Sequence, residues 1–314
     1  MKQRILTGSA IVAFLILLFF TKNITTYVFD AFIVILAMYA GYEMSNLLKK
    51  MGLFNNKWLI IAYPLVSYII YRLSFNNNVE LYYIIVMQIA LVILLGALVS
   101  IICAFSKKRV DNEIKTRKLK YTNEQFALFK GIQTIFGLIY PGLIIMLLTI
   151  INNLESIKYI FSSFDGFEYS VSLFLLVYVF AIPVIVDTFA MLTGSIFKGP
   201  KLCKKISPNK TISGAIGGFV FGTLAAIALY FIFNSIDTYR LLFIEINLTW
   251  WKMLIVGMIS SVLCQIGDIF ESFLKRKANV KDSGDIFPGH GGVLDRFDSH
   301  IINILVTFIF LLII

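Results

Sequence analysis

Apolar stretches long enough to cross a bilayer recur along the whole 314-residue chain, and this pattern decides the fold class before any motif is read. Mean hydropathy is +0.85, with 59% hydrophobic and 15% charged residues, which excludes an ordinary water-soluble domain. Nine spans are expected, at about residues 5–20, 25–48, 58–73, 81–105, 133–151, 169–192, 214–234, 251–269 and 301–314. Backbone polar groups facing hydrocarbon must be satisfied within their own segment, and the runs lack the alternation of a membrane barrel strand. The expected fold is therefore an all-α polytopic integral membrane protein. Its first span continues through Phe19 and Phe20 without a small-residue cleavage pattern, so it reads as an uncleaved anchor.

Lys and Arg give the orientation. With the N-terminus in the cytoplasm, the inner segments hold 23 of the 28 cations, and only Lys22, Arg72, Lys158, Arg240 and Lys252 fall outside. The net charge of +10 thus reports topology and attraction to anionic lipid headgroups rather than a nucleic-acid partner. Cys103, Cys203 and Cys264 have no metal-ligand spacing and read as packing residues or free thiols.

Polar matter is unevenly spread. Residues 1–130 read as membrane scaffold, with little that is polar in the spans beyond Asp30 and Glu43, and with a basic connector over about 106–130 expected as a solvated loop. In the sixth span Asp187 would be expensive facing lipid, so it is expected to face the bundle interior or a watery cavity. The connection that follows carries Ser207, Pro208, Lys210 and Thr211 and enters the seventh span with Gly214, Gly217 and Gly218. Those residues suit an anion at a helix start, and they equally suit a turn, a cap and close helix packing.

The eighth span ends with Asp268, Glu271, Ser272 and Lys275 at helical spacings i, i+3, i+4 and i+7, a polar stripe at the membrane boundary. Asp295 and Asp298 share a face if the ninth helix starts there. Oxygen ligands of this kind suit a hard divalent cation such as Mg2+, whereas zinc would need the Cys/His cluster that this chain lacks. His290, set between glycines, either contacts a phosphate or occupies a turn.

The run Ser272, Lys275-Arg276, Lys281-Asp282, Pro288-Gly-His-Gly-Gly292, Asp295-Arg296 and Asp298 resembles the signature of the phosphatidate cytidylyltransferases, or CDP-diacylglycerol synthases. Upstream, Asp187, Ala190, Gly194, Ser207, Lys210, Thr211, Gly214, Gly217, Gly218, Gly267 and Asp268 extend the likeness over about residues 180–300. Three positions depart from it: Ser195 stands where Arg is usual, Phe197-Lys198-Gly199 replaces Phe-Gly-Lys, and Ser213 replaces an acid or amide.

The resemblance implies that a catalytic membrane domain fills residues 131–314. It also implies transfer of CMP from CTP to phosphatidic acid at the cytoplasmic face of the plasma membrane, by a protein that pairs as a homodimer. It assigns Asp268 and Asp295 to a catalytic Mg2+, with Asp298 beside them and a second cation such as K+ nearby. Lys275, Arg276, Lys281 and Arg296 would hold phosphates during the reaction. Ser207, Lys210, Thr211, Ser272, Asp282, His290, Gly291 and Gly292 would bind substrate. The competing readings are a CTP-using lipid or polyprenol kinase, a cytidylyltransferase for another lipid phosphate, and an ion transporter built on Asp187 and Asp268.

Overall fold

Eight helices among the described residues are long and apolar enough to cross a membrane. The structure is a computed structural model, which describes residues 17–22, 25–76, 79–116, 121–154, 168–287 and 291–313. Its helices are α1 (Thr26–Lys50), α2 (Lys57–Asn76), α3 (Leu81–Phe105), the short α4 (Lys107–Thr116), α5 (Asn123–Gly137) and α6 (Ile144–Asn152). They continue as α7 (Glu168–Phe197), α8 (Ile212–Asn234), the short α9 (Asp237–Glu245), α10 (Trp250–Lys277) and α11 (Leu294–Ile313). The expected all-α membrane class holds, and the second to ninth expected spans fall on these helices, the fifth of them across α5 and α6. Most of the first, residues 5–20, lies outside the described residues, of which 17–22 are helical.

One span is broken. A π-helical turn, Leu138–Leu143, separates α5 from α6, and Tyr140 inside it has non-helical angles of φ −112° and ψ 111°. Pro141 supplies the cause, since its ring and missing N–H interrupt the helical hydrogen-bond ladder. This composite span is 78% buried, the largest share of the eight, so it forms the middle of the bundle.

The connector expected as a solvated loop over 106–130 is instead largely helical. Residues 107–116 form α4, and a capping box starts α5: Thr122 Oγ1 accepts from Gln125 N at 3.2 Å while Gln125 Oε1 accepts from Thr122 N at 3.1 Å. The Lys130–Glu113 pair, 3.4 Å apart, joins α4 to α5. Between α7 and α8 the chain makes a two-stranded antiparallel hairpin, β1 (Lys201–Cys203) and β2 (Ser207–Thr211), with Lys201 opposite Thr211 and Cys203 opposite Ser207.

Polar side chains tie the helices together where hydrocarbon gives them no other partner. Tyr178 donates to Ser260 Oγ at 2.9 Å, joining α7 to α10, and Asn303 Nδ2 donates to the Val179 carbonyl at 3.1 Å, joining α11 to α7. At the far end of α1, buried Asp30 accepts from Arg72 at 2.6 Å and from the amides of Asn152 and Asn153 at 2.9 Å each. An unpaired carboxylate there would be costly, and this network neutralises it. Thirteen residues further along α1, about 20 Å by helical rise, sits Glu43 at the opposite end of the bundle.

Candidate active site

Helical spacing gathers the first group. On the last turns of α10, Ser272 Oγ donates to Asp268 Oδ1 at 3.4 Å and Lys275 Nζ lies 3.1 Å from Glu271 Oε2, so the expected stripe exists as one face. Lys275 also reaches Asp295 Oδ1 at 2.6 Å, across to the first turn of α11.

Asp295 is buried and saturated with donors. Its Oδ2 accepts from Ser283 N, Ser283 Oγ and Gly292 N, each at 2.8 Å, so one carboxylate folds the connecting loop onto the start of α11. Gly291 has φ +80°, a conformation costly for L-residues, and a Cβ there would lie 2.6 Å from Asp295 Oδ2.

A second group faces a cavity of about 740 Å³ between α7, α8, the hairpin and α10. Asp187, Gly194, Lys198, Lys210, Thr211 and Asp268 are among the residues that line it. Lys210 is ion-paired with Asp268, and Asp187 accepts from Ser299 Oγ at 3.2 Å. Thr211 caps α8 by accepting from Gly214 N at 3.1 Å.

Asp298 links the two groups. It lies within electrostatic reach of Asp187, Asp268 and Glu271, and its Oδ1 accepts from Ser299 N at 2.7 Å. Glu271 is 0% exposed, and its Oε1 finds no donor among the described residues; the group it faces is the Asp298 carboxylate. Two carboxylates in contact repel unless a proton or a cation lies between or beside them. The donors are all oxygen, which suits a hard divalent cation. Among the described residues no three acidic, imidazole or thiol side chains stand close enough to hold one ion as they are, and the positive charge comes from Lys210 and Lys275.

Other expected site residues sit around this centre. Arg276 is exposed and donates to the Ile206 carbonyl of the hairpin at 3.3 Å. Arg296 is exposed on the first turn of α11 and acts electrostatically on Asp187. Ser207 is half-buried in β2, opposite Cys203. Lys281 and Asp282 are exposed on the connecting loop, and Asp282 lines a separate cleft of about 530 Å³ with Glu43, Asn46 and Lys49. His290 lies outside the described residues, with Pro288 and Gly289.

The stretch read as scaffold contributes Glu43. Its carboxylate accepts from Val293 N at 3.0 Å and Leu294 N at 2.8 Å, inside the loop that carries the signature, and Ser283 Oγ, which is nearer to Asp295 Oδ2, lies 3.2 Å from it. An ionisable residue within an apolar span was the available signal. Tyr140 from the π-helical turn also enters the neighbourhood: its buried hydroxyl, without a hydrogen-bond partner among the described residues, is within electrostatic reach of Glu271 and Asp298.

Over 136 residues the chain is 45% identical to the phosphatidate cytidylyltransferase of Rickettsia conorii, covering 43% of this chain and 56% of that protein. The enzyme of the same name from Staphylococcus haemolyticus is 42% identical over 135 residues, 43% of this chain and 45% of that one. That of Rickettsia prowazekii is 44% identical over 145 residues, 46% of this chain and 61% of that one. The chain spans about half the length of the curated relatives it matches. The profile of the cytidylyltransferase family, by contrast, matches residues 2–314, and on that ground the chain belongs to the cytidylyltransferase family.

Proposed function

We propose that this protein transfers CMP from CTP to phosphatidic acid, giving CDP-diacylglycerol and pyrophosphate. An oxygen of the phosphatidate phosphate forms a bond to the α-phosphorus of CTP, and the bond from that phosphorus to the β-phosphate's bridging oxygen breaks. The nucleophile is already anionic, so the reaction needs no strong base. Its difficulty is bringing two polyanions together, which demands positioning and charge neutralisation.

The chain's residues are suited to that task. Lys210 and Lys275 hold ammonium groups at the rim and floor of the acidic centre, and Arg276 and Arg296 flank it with exposed guanidinium groups. Lys281 stands exposed on the loop as a further phosphate contact. Asp268, Asp295 and Asp298 would hold Mg2+ only by drawing closer together than they stand, with Lys275 releasing Asp295 Oδ1. When bound, the ion would supply positive charge to the phosphates as the pyrophosphate leaves. Asp295 meanwhile keeps the backbone at Ser283 and Gly292 in place through Oδ2.

The single observation carrying this reading is the meeting of Asp268, Lys275, Asp295 and Asp298 at one end of the bundle, next to a cavity rimmed by Lys210. The Lys and Arg bias supports a cytoplasmic location for that end, where a lipid headgroup and a nucleotide can both reach it. The experiment is phosphatidate-dependent turnover of labelled CTP by the purified protein, with and without EDTA. Pyrophosphate release with CMP retained on the lipid is the expected result. Release of CDP would make the protein a lipid kinase instead, and turnover unaffected by EDTA would remove the metal.

A further inference from the structure

Glu43 is 1% exposed, on α1, and stands 251 positions away in sequence from Leu294, which it binds. Its two oxygens take the N–H groups of Val293 and Leu294, which sit at the start of α11 where a helix has no internal acceptor for them. Carboxylate charge is also favoured there by the helix dipole. The loop closes tightly on the group: a Cβ on Gly292 would come within 2.6 Å of Glu43 Cδ.

A continuous chain of close polar contacts leads from there to the acidic centre. Ser283 Oγ lies 3.2 Å from Glu43 Oε2 and 2.8 Å from Asp295 Oδ2, and Asp295 Oδ1 lies 2.6 Å from Lys275. We propose that Glu43 is a positioning residue, which clamps Ser283 and the Val293–Leu294 backbone to α1 so that Asp295 keeps the orientation in which it meets Lys275 of the stripe on α10. It acts through Ser283 and the backbone, so its effect falls on turnover more than on substrate affinity. The charge matters as well as the shape, because a glutamine would turn an N–H group toward one of the two backbone donors.

This inference rests on the cytidylyltransferase reading for its kinetic readout, and hydrogen exchange gives it an independent one. Full-length wild type, Glu43→Gln and Glu43→Asp would be purified into the same lipid nanodiscs and assayed per folded molecule for kcat, both KM values and amide exchange across residues 283–294. Glu43→Gln is expected to lower kcat about 10- to 100-fold. Its KM values for CTP and phosphatidate are expected to stay within about threefold of wild type. The Val293 and Leu294 amides should exchange faster, and Glu43→Asp should recover part of the turnover.

A Gln variant with wild-type kcat, or with unchanged exchange at Val293 and Leu294, would overturn the proposal. Should the Gln variant fail to fold, Ser283→Ala breaks the same chain one bond later, and unchanged kcat there would overturn it equally. If wild type shows no phosphatidate-dependent turnover of CTP, the substrate reading falls alone, and the exchange comparison still decides whether Glu43 holds the loop.

Discussion

Lys275 Nζ lies 2.6 Å from Asp295 Oδ1 and 3.1 Å from Glu271 Oε2, so a single ammonium group bridges two buried acids on different helices. Removing it leaves both carboxylates uncompensated, and breaking a buried pair in this way costs about 3–5 kcal/mol. Lys275→Met is therefore expected to lower the thermal midpoint markedly as well as abolish turnover. Lys275→Arg keeps the charge and should retain most of the stability. Unfolding followed by tryptophan fluorescence in nanodiscs checks both, and a Met variant as stable as wild type would mean the two acids are neutralised some other way.

Gly291 is the position where backbone conformation and space coincide. Its φ of +80° costs an L-residue about 1–2 kcal/mol. A Cβ there would in addition press on Asp295 Oδ2 from 2.6 Å. Gly291→Ala is expected to reduce turnover by about tenfold or more while leaving the helical content intact. Circular dichroism alongside pyrophosphate release tests this, and full activity in the variant would show that the loop tolerates the displacement.

How much of this was readable before the fold was known depends on distance along the chain. The stripe Asp268, Glu271, Ser272 and Lys275 was legible because helical periodicity places residues three and four apart on one face. The eight described spans were legible because lipid imposes their length and composition. Asp295 was visible as an acid at a helix start, but its three donors from the loop were not, since they depend on a turn with no repeating pattern. Glu43 was visible only as an acid in an apolar run, because its partners lie some 240 to 251 positions away and nothing local encodes that pairing. The hairpin at 201–211 and the helix at 107–116 are short and polar, and only Val110 and Ile114, four residues apart, mark the packed side of that helix.

Asp268 pairs with Lys210 at the edge of the 740 Å³ cavity, and both side chains remain about a quarter exposed. Solvent limits what this pair contributes to stability, so the effect of Asp268→Asn should appear in the chemistry. Turnover is expected to fall by about 100- to 1,000-fold, the scale of losing one preorganised charge at a reacting centre. Titrating Mg2+ separates the causes: a weaker apparent affinity for the ion identifies Asp268 as a ligand, and wild-type turnover in the variant would remove it from the metal assignment.

The glycines at the start of α8 had two readings, phosphate approach and helix packing, and the structure puts Gly218 firmly against α7. A Cβ there would lie 3.0 Å from the Val186 carbonyl oxygen, 3.1 Å from Ala190 Cβ and 3.3 Å from Gln265 Nε2. Two of these neighbours belong to α7 and the third to α10, so a larger side chain would force three helices apart at once. Small residues at such contacts let helix backbones approach closely, and van der Waals packing is what holds helices together in lipid. Gly218→Val is accordingly expected to destabilise the bundle by about 1–3 kcal/mol, the usual range for overpacking. The KM for CTP should remain near wild type in whatever fraction stays folded. Thermal unfolding and nucleotide titration on one preparation distinguish the two readings, because a stable variant with a strongly raised KM would return Gly218 to the phosphate site.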